Sequence, residues 1–125
     1  MIYQSALVLP ANTAQSAPVT DEFSIPRGAI KRLNILMPDG CAGLAHIQVY
    51  HNEKQIWPTT PGMSFVGNNT HFDFEEDYEL PEAWNTIRIL GWNEDDSYQH
   101  TINIWLLVLP SDSAAAWLSA LGIPG

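Results

Sequence analysis

Residues 85–110, NTIRILGWNEDDSYQHTINIWLLVLP, constrain the fold more than any other stretch of the chain. Two runs rich in β-branched and aromatic residues flank a polar, acidic segment, which predicts strands over 86–92 and 100–109 joined as a β-hairpin. Side chains alternate between the faces of a strand, so one face of the second run is wholly apolar, with Ile102, Ile104, Leu106 and Val108. The opposite face also becomes apolar from Trp105 onward. We therefore expect this strand to lie centrally and to be covered on both sides.

Short runs of the same kind recur along the chain and are separated by turn signals such as PRG at 26–28 and PDG at 38–40. This spacing predicts an all-β fold, an antiparallel β-sandwich or jelly-roll-like domain of about eight strands. The further predicted strands cover residues 3–9, 20–25, 29–37, 44–51, 55–57, 63–66 and 70–75. The chain is interpreted as one domain over residues 1–125, with an N-terminal strand and connector (1–19), a sandwich (20–110) and a C-terminal tail (111–125).

The tail carries the helical pattern of the sequence. Ala114, Trp117, Leu118 and Leu121 recur at the i, i+3, i+4, i+7 spacing of one helix face, and Gly122 follows as a stop. A helix this short needs tertiary or quaternary packing to persist in water.

Charge and cysteine content exclude several classes of function. Lys and Arg total 5 against 14 Asp and Glu, a net charge of −9, which argues against binding to a phosphate backbone. The single cysteine, Cys41, cannot form an internal disulfide, so no oxidising compartment is implied. No basic and apolar leader is recognisable, and no apolar run approaches the roughly 20 residues of a membrane-spanning helix. We expect neither a signal peptide, nor nucleic-acid binding, nor a membrane.

One set of potential metal ligands falls on a single predicted strand. His71, Asp73 and Glu75 share a face, which would present three ligands to solvent. The interpretation we favour is a solvated polar face opposite Phe72 and Phe74.

Two predicted acidic loops, 75–79 and 94–96, would hold Ca²⁺ through carboxylate oxygens if they met at one end of the sandwich. No calcium-binding spacing supports this, and a repulsive, soluble rim is the favoured interpretation. The sequence thus predicts no metal and no cofactor.

Catalytic patterns are equally sparse. The segment GMSFV around Ser64 begins like a nucleophile elbow but lacks the second glycine and the strand-to-helix context. There is no glycine-rich phosphate loop. We expect a protein that is not an enzyme.

Five tryptophans are many for 125 residues. Exposed tryptophans stack on sugar rings or anchor protein interfaces. Trp57 and Trp105 are predicted to lie in the core, and Trp117 to contact something outside its own sandwich.

Several stretches resemble small β-sandwich proteins from the structural gene regions of tailed phages. They are IPRGAI (25–30), MPDGCAGL (37–44), QIWP (55–58) with PG (61–62), and GWNEDD (91–96) with HT (100–101). The resemblance covers residues 25–110 and consists of turn and strand-edge residues, without a catalytic or ligand motif.

The resemblance implies a virion component, such as a capsid decoration, vertex or tail-associated protein, made in the host cytoplasm. Its partners would be copies of itself and other structural proteins of the assembly. A carbohydrate-binding β-sandwich is the alternative from a different class and would need an exposed aromatic platform. A small metal-dependent enzyme, the third hypothesis, would need His71 and the acidic loops to converge.

We expect a homo-oligomer in which both ends of the chain make contacts, because both are apolar and lie outside the hairpin-rich middle. The predicted interface residues are Tyr3 and Leu7 in the first strand and Trp117, Leu118 and Leu121 in the tail. The alternative left open is that the tail folds back on its own sheet.

Overall fold

The structure is a computed structural model and describes residues 1–110. These residues form an all-β fold, and the predicted C-terminal helix lies outside them. The strands are β1 (Ile2–Leu9), β2 (Val19–Met37), β3 (Ala45–His51), β4 (Lys54–Trp57), β5 (Thr70–Asn93) and β6 (His100–Leu109).

All six strands belong to one antiparallel sheet with the order β1-β6-β2-β5-β3-β4. Within residues 1–110 there is no helix long and apolar enough to cross a membrane.

The predicted strand over 100–109 is confirmed, but the predicted hairpin is wrong. β6 pairs with β1 and β2, whereas the end of β5 pairs with β2 and β3. The segment between β5 and β6 is long enough to carry the chain to a different part of the sheet. Alternation of side chains fixes the faces of a strand but does not choose its partner.

Two strands are longer than the sequence pattern indicated. β2 merges the predicted strands 20–25 and 29–37, and β5 merges 70–75 and 86–92. The predicted turn at 26–28 is a shift in the β2–β5 register between Pro26 and Gly28. Proline has no N–H to donate to a ladder and is tolerated at such a bulge. The predicted strand 63–66 is reduced to an isolated bridge between Phe65 and Ile47.

The register shift divides β2 into two parts with different partners. Residues 19–26 pair with the second half of β5, and residues 28–37 pair with its first half and, on the other side, with β6. At Gly28 a Cβ atom would lie 2.6 Å from the carbonyl oxygen of Leu109, so only glycine lets β6 approach this closely.

The core joins residues from strands that are not neighbours in the sheet. The predicted inward face of β6 is confirmed, since Ile102, Ile104, Leu106 and Val108 are all fully buried. β5 also touches β1 across the core, where Gly91 lies against Leu7 and Leu9. The sheet therefore folds over, and its inner face encloses one apolar cluster. Each large aliphatic side chain buried there contributes about 1.5–3 kcal/mol.

The opposite face of β6 is only partly covered within residues 1–110. Trp105 and Leu107 are half-buried and Leu109 is 49% exposed. β6 thus lies between two strands, as its apolar character predicts, but residues 1–110 leave the apolar second half of its outer face accessible.

Candidate functional site

β1 is an open edge of the sheet. It pairs with β6 on one side, and no strand within residues 1–110 pairs with the other. Met1 and Val108 exchange two backbone bonds, N to O, of 2.6 and 2.7 Å. Such bonded pairs alternate with non-bonded pairs along an antiparallel ladder. The backbone groups that point away from β6 therefore belong to Ile2, Gln4, Ala6 and Val8.

β1 also lacks the features that normally protect an edge strand. Its eight residues, IYQSALVL, include no charged residue and no proline, and its register with β6 is unbroken. At the opposite edge, β4 is only four residues long, begins with Lys54 and is followed by Pro58. The two edges thus differ, and β1 is the one suited to pairing with another strand.

The predicted interface side chains of β1 point inward. Leu7 is 4% exposed and belongs to the chain's own core, so its side chain is not available to a neighbour. Tyr3 is half-buried with its ring centroid 5.6 Å from that of Phe23. The outward side chains include Ile2, which is 70% exposed. Along β1, the large side chains of Leu7 and Leu9 alternate with the residues that face outward. This alternation is the sequence signal that would have identified the outward side chains.

The other predicted interface residues, Trp117, Leu118 and Leu121, lie outside the described residues.

Beside β1, the outer face of β6, β2 and β5 forms a groove of about 410 Å³. We call it the outer groove; its lining residues are Ile2, Arg32, Asn34, Leu36, His71, Trp105 and Leu107. These residues share one face because they oppose each other across neighbouring strands, as Ile2 opposes Leu107 and Leu36 opposes His71. Trp105, predicted to lie in the core, lies instead on this outer face.

The polar side chains of the outer groove have partners within the groove or beside it. Arg32 donates to Asp73 through two contacts, Nε to Oδ1 at 2.7 Å and Nη2 to Oδ2 at 3.2 Å. The hydrogen bond from Arg32 lowers the pKa of Asp73. His71 donates from Nε2 to Oδ1 of Asn34 at 2.9 Å. With these groups paired, the part of the groove left without partners is apolar.

The same contacts engage the three residues that were considered as potential metal ligands. His71 contacts Asn34, Asp73 pairs with Arg32, and Glu75 lies 3.9 Å from Arg32. Among residues 1–110, no group of three potential ligands is arranged to hold a metal ion. On the other side of this strand, Phe74, predicted to face inward, is 40% exposed.

The two acidic segments have separate partners. Residues 75–79, predicted to be a loop, lie within β5, where Asp77 pairs with Lys31 at 2.6 Å. In the 94–96 segment, Asp95 contacts His100 at 2.9 Å. One carboxylate of each segment is thus paired with a base, and the two bases lie on different strands.

Asp95 organises the connection between β5 and β6. Its Oδ1 accepts hydrogen bonds from the backbone N–H groups of Ser97 and Tyr98, and its Oδ2 contacts Nε2 of His100. The bond from Ser97, with the contact to His100, lowers the pKa of Asp95. Asn93 adds a side-chain bond to the Leu9 carbonyl oxygen. These contacts fix the route of the chain from β5 to β6.

A serine, a histidine and a glutamate meet near the start of β3, a constellation that sequence analysis did not identify. Ser64 Oγ lies 2.7 Å from Nδ1 of His46, and Nε2 of His46 lies 3.3 Å from Oε2 of Glu94. The imidazole stacks on Trp92 with a centroid distance of 4.7 Å. No sequence pattern reveals the set, because its members are brought together by the register of β3 with β5 and by the bridge at Phe65.

This arrangement differs from a serine-hydrolase triad in two ways. The two imidazole nitrogens have exchanged partners, since in the hydrolases the serine meets Nε2 and the carboxylate meets Nδ1. His46 Nε2 also has no hydrogen bond of acceptable geometry, and the Glu94 side chain is 60% exposed. In this fold, the contact between Ser64 and His46 holds the segment around Ser64 against β3.

Two aromatic side chains are strongly exposed, Trp84 at 67% and Tyr98 at 71%. Trp84 lies in the middle of β5, opposite Pro26, and Tyr98 in the connection before β6. The predicted burial of Trp57 is confirmed at 5% exposure.

No family model matches the chain, and no curated protein matches it in sequence. Among solved structures, it is similar to a family two carbohydrate esterase from Cellvibrio japonicus, with 16% identity over 89% of this chain and a TM-score of 0.43. The chain spans 36% of the length of that esterase. A likeness at this level bears on neither activity nor ligand.

Proposed function

We propose that this chain is a non-enzymatic structural protein of a virion, a capsid decoration, vertex or tail-associated component that acts through protein–protein contacts. The resemblance of residues 25–110 to phage structural-region proteins supports the assignment to a virion. The open edge of β1 supports action through protein–protein contacts. The protein would be made in the host cytoplasm and incorporated into particles.

The scaffold in this proposal is a β-sandwich of the jelly-roll kind. The change of partners along β2 supports it, because the two parts of the strand belong to separate sets of neighbours. The contact of Gly91 with Leu7 and Leu9 supports it as well, because it joins the two sets face to face.

The observation that carries the proposal is the unprotected edge of β1, and the partner it fits is a second copy of the same chain. Two β1 strands related by a two-fold axis would pair antiparallel through the outward backbone groups of Ile2, Gln4, Ala6 and Val8. This would continue the sheet from one copy into the next. It is a main-chain contact and does not need the buried side chain of Leu7.

The test is Ala6→Lys, with Ala6→Ser as the matched control. Ala6 is exposed and belongs to the outward set, so a lysine there leaves the ladder with β6 intact and places a charge on the free edge. Sedimentation equilibrium is expected to show that the parent and Ala6→Ser self-associate and that Ala6→Lys is a monomer. A monomeric parent, or an Ala6→Lys variant that associates like the parent, would refute pairing through β1.

Carbohydrate binding remains the second candidate, and the exposure of Trp84 is the observation that favours it. Glycan-array binding that is lost in Trp84→Ala and kept in Tyr98→Ala would establish it. Absence of glycan binding by the parent would count against this second candidate.

A further inference from the structure

We propose that residues 70–79 of β5 form a docking edge for an extended, basic segment of a different protein, which joins the sheet as an added strand. We call these residues the β5 edge. The proposal depends neither on the pairing of β1 nor on the assignment to a virion.

The β5 edge has backbone groups without a ladder partner. Residues 28–37 of β2 pair with it on one side. On the other side β3 pairs with β5 only from Ile87 to Asn93, so no strand within residues 1–110 continues the sheet beside the β5 edge. The backbone of Phe65, whose ring lies nearby, bonds instead to Ile47. An open ladder of this kind accepts a strand from another molecule.

Carboxylates dominate the outer face of the β5 edge. Two bases of β2, Lys31 and Arg32, contact some of them. Residues 70–79 contain five acids, and five acids against two bases leave a charge of −3. The side chains of Glu75 and Asp77 stay 85% and 77% exposed, and ion pairs this exposed contribute little. The carboxylates therefore remain available to a further base.

An added strand would meet these carboxylates at alternate positions. Asp73, Glu75, Asp77 and Glu79 are exposed and lie two residues apart, so they share the outer face. Residues opposite each other in a ladder have Cβ atoms about 5 Å apart. A strand with Lys or Arg at every second residue would therefore place a base opposite each carboxylate.

The inner face of the β5 edge suits apolar residues of the same strand. Phe74 is 40% exposed, although its ring stacks on those of Phe65 and Phe72 at centroid distances of 5.9 and 6.0 Å. Residues between the bases of the added strand would point to this side and cover the ring. The segment that fits the β5 edge thus alternates basic with apolar residues.

The chain itself does not contain such a segment. Its five bases are scattered and never occupy successive alternate positions; they are Arg27, Lys31, Arg32, Lys54 and Arg88. β1 is uncharged, and two β5 edges facing each other would place carboxylates opposite carboxylates. The acids therefore protect this edge against copies of the chain, and the partner is a different protein.

The experiment follows backbone amide exchange by NMR in the full-length protein. The probe is a blocked peptide of alternating lysine and valine, as long as the β5 edge. In the free protein, the amides of residues 70–79 that do not donate to β2 are expected to exchange fast. Peptide at about ten times its Kd is expected to slow this exchange about tenfold and to leave the amides of β1 unchanged.

Four results would overturn the proposal. They are no binding, binding without this protection, protection of β1 in place of residues 70–79, and slow exchange of the same amides in the free protein. The second result would show adsorption by charge alone. The last would show that the edge is already covered.

A modified peptide separates backbone pairing from charge. Methylation of the backbone nitrogens of the four central residues keeps every lysine and removes the N–H groups that would donate to the β5 edge. Its binding is expected to be lost. Binding equal to that of the unmodified peptide would exclude strand addition.

A pair of double variants tests the acids. Glu75→Gln with Glu79→Gln is expected to weaken peptide binding about five- to tenfold, because two cross-strand ion pairs are removed. Glu53→Gln with Glu94→Gln changes the net charge equally at exposed positions outside the β5 edge and is expected to leave binding unchanged. Equal weakening by the two variants would show a general attraction between opposite charges and would overturn the proposal.

Discussion

The side chain of Leu9 leaves no room for a Cβ atom on Gly91. Such an atom would lie 2.7 Å from Cδ2 of Leu9, with Leu7 and Ile47 at 2.8 and 3.0 Å. The three neighbouring side chains are buried in a packed core and cannot move aside freely. Gly91 is thus a point of close packing between the end of β5 and the edge strand β1.

Gly91→Ala is therefore expected to lower the free energy of unfolding by about 1–3 kcal/mol, the usual cost of overpacking a core. Urea unfolding measures it. Combining it with Leu7→Val, which shortens one of the obstructing side chains, should cost less than the sum of the two single changes. Strict additivity, or an alanine variant as stable as the parent, would contradict this close contact.

Asp95 makes the stability depend on pH. Its pKa is lowered in the fold, so its contribution is complete above the ordinary aspartate pKa of about 3.9 and is lost as the pH falls through the lowered value. Asp95→Asn should lower the free energy of unfolding at pH 7. It should also make the free energy of unfolding fall less steeply as the pH decreases. Urea unfolding at pH 7 and pH 3 tests this, with Asp96→Asn as the control. Parallel pH profiles for the parent and Asp95→Asn would be the contrary result.

Ser64 is expected to act as a structural residue. Ser64→Ala removes the contact with His46 and should cost about 1 kcal/mol, the typical net contribution of a hydrogen bond. Ser97→Ala, which removes an exposed contact with Asp96, is the control and should cost less.

The non-enzymatic proposal adds a chemical expectation for the same serine. A fluorophosphonate probe should not label the parent protein, because His46 and Glu94 do not form the hydrogen-bond chain that activates a serine. Labelling of the parent that disappears in Ser64→Ala would instead identify a nucleophile.

Calcium should leave thermal stability unchanged, because acidic side chains in or near segments 75–79 and 94–96 are already paired with Lys31, Arg32 and His100. The measurement is the melting temperature with millimolar calcium chloride or with chelator. A saturable rise in the melting temperature, absent in Asp95→Asn, would demonstrate a site in the connection before β6.

The alternation of apolar and polar residues predicted which segments form strands and which face of β6 is buried. The all-β class and the buried face of β6 follow from alternation, since a period of two leaves only one way to bury Ile102 and Ile104 together. Strand partners do not follow from alternation. The polar segment before His100 is compatible with a hairpin and equally with the crossing that occurs, which depends on Asn93 and Asp95 binding the surrounding backbone.

The surfaces proposed for function were predictable only in part. The apolar second half of β6 signalled a covered outer face, yet nothing in the pattern indicated that residues 1–110 would leave Trp105 and Leu107 accessible. Tyr3 and Leu7, predicted as interface residues, lie in β1 with their side chains facing the chain's own interior. The contact of Ser64 with His46 and Glu94 joins three distant parts of the chain, and such proximity depends on register, which single-sequence patterns do not contain.

The position of β6 between β1 and β2 also limits when β1 can enter the sheet during synthesis. Ile2 pairs with Leu107, so β1 leaves the ribosome long before β6 and finds its partner only after nearly all of the described residues have been synthesised. Until then the uncharged β1 has no ladder partner. Pairings between residues so far apart in sequence make folding slow. We therefore expect the nascent chain to stay aggregation-prone until β6 emerges, with β1 as the segment that a chaperone would shield.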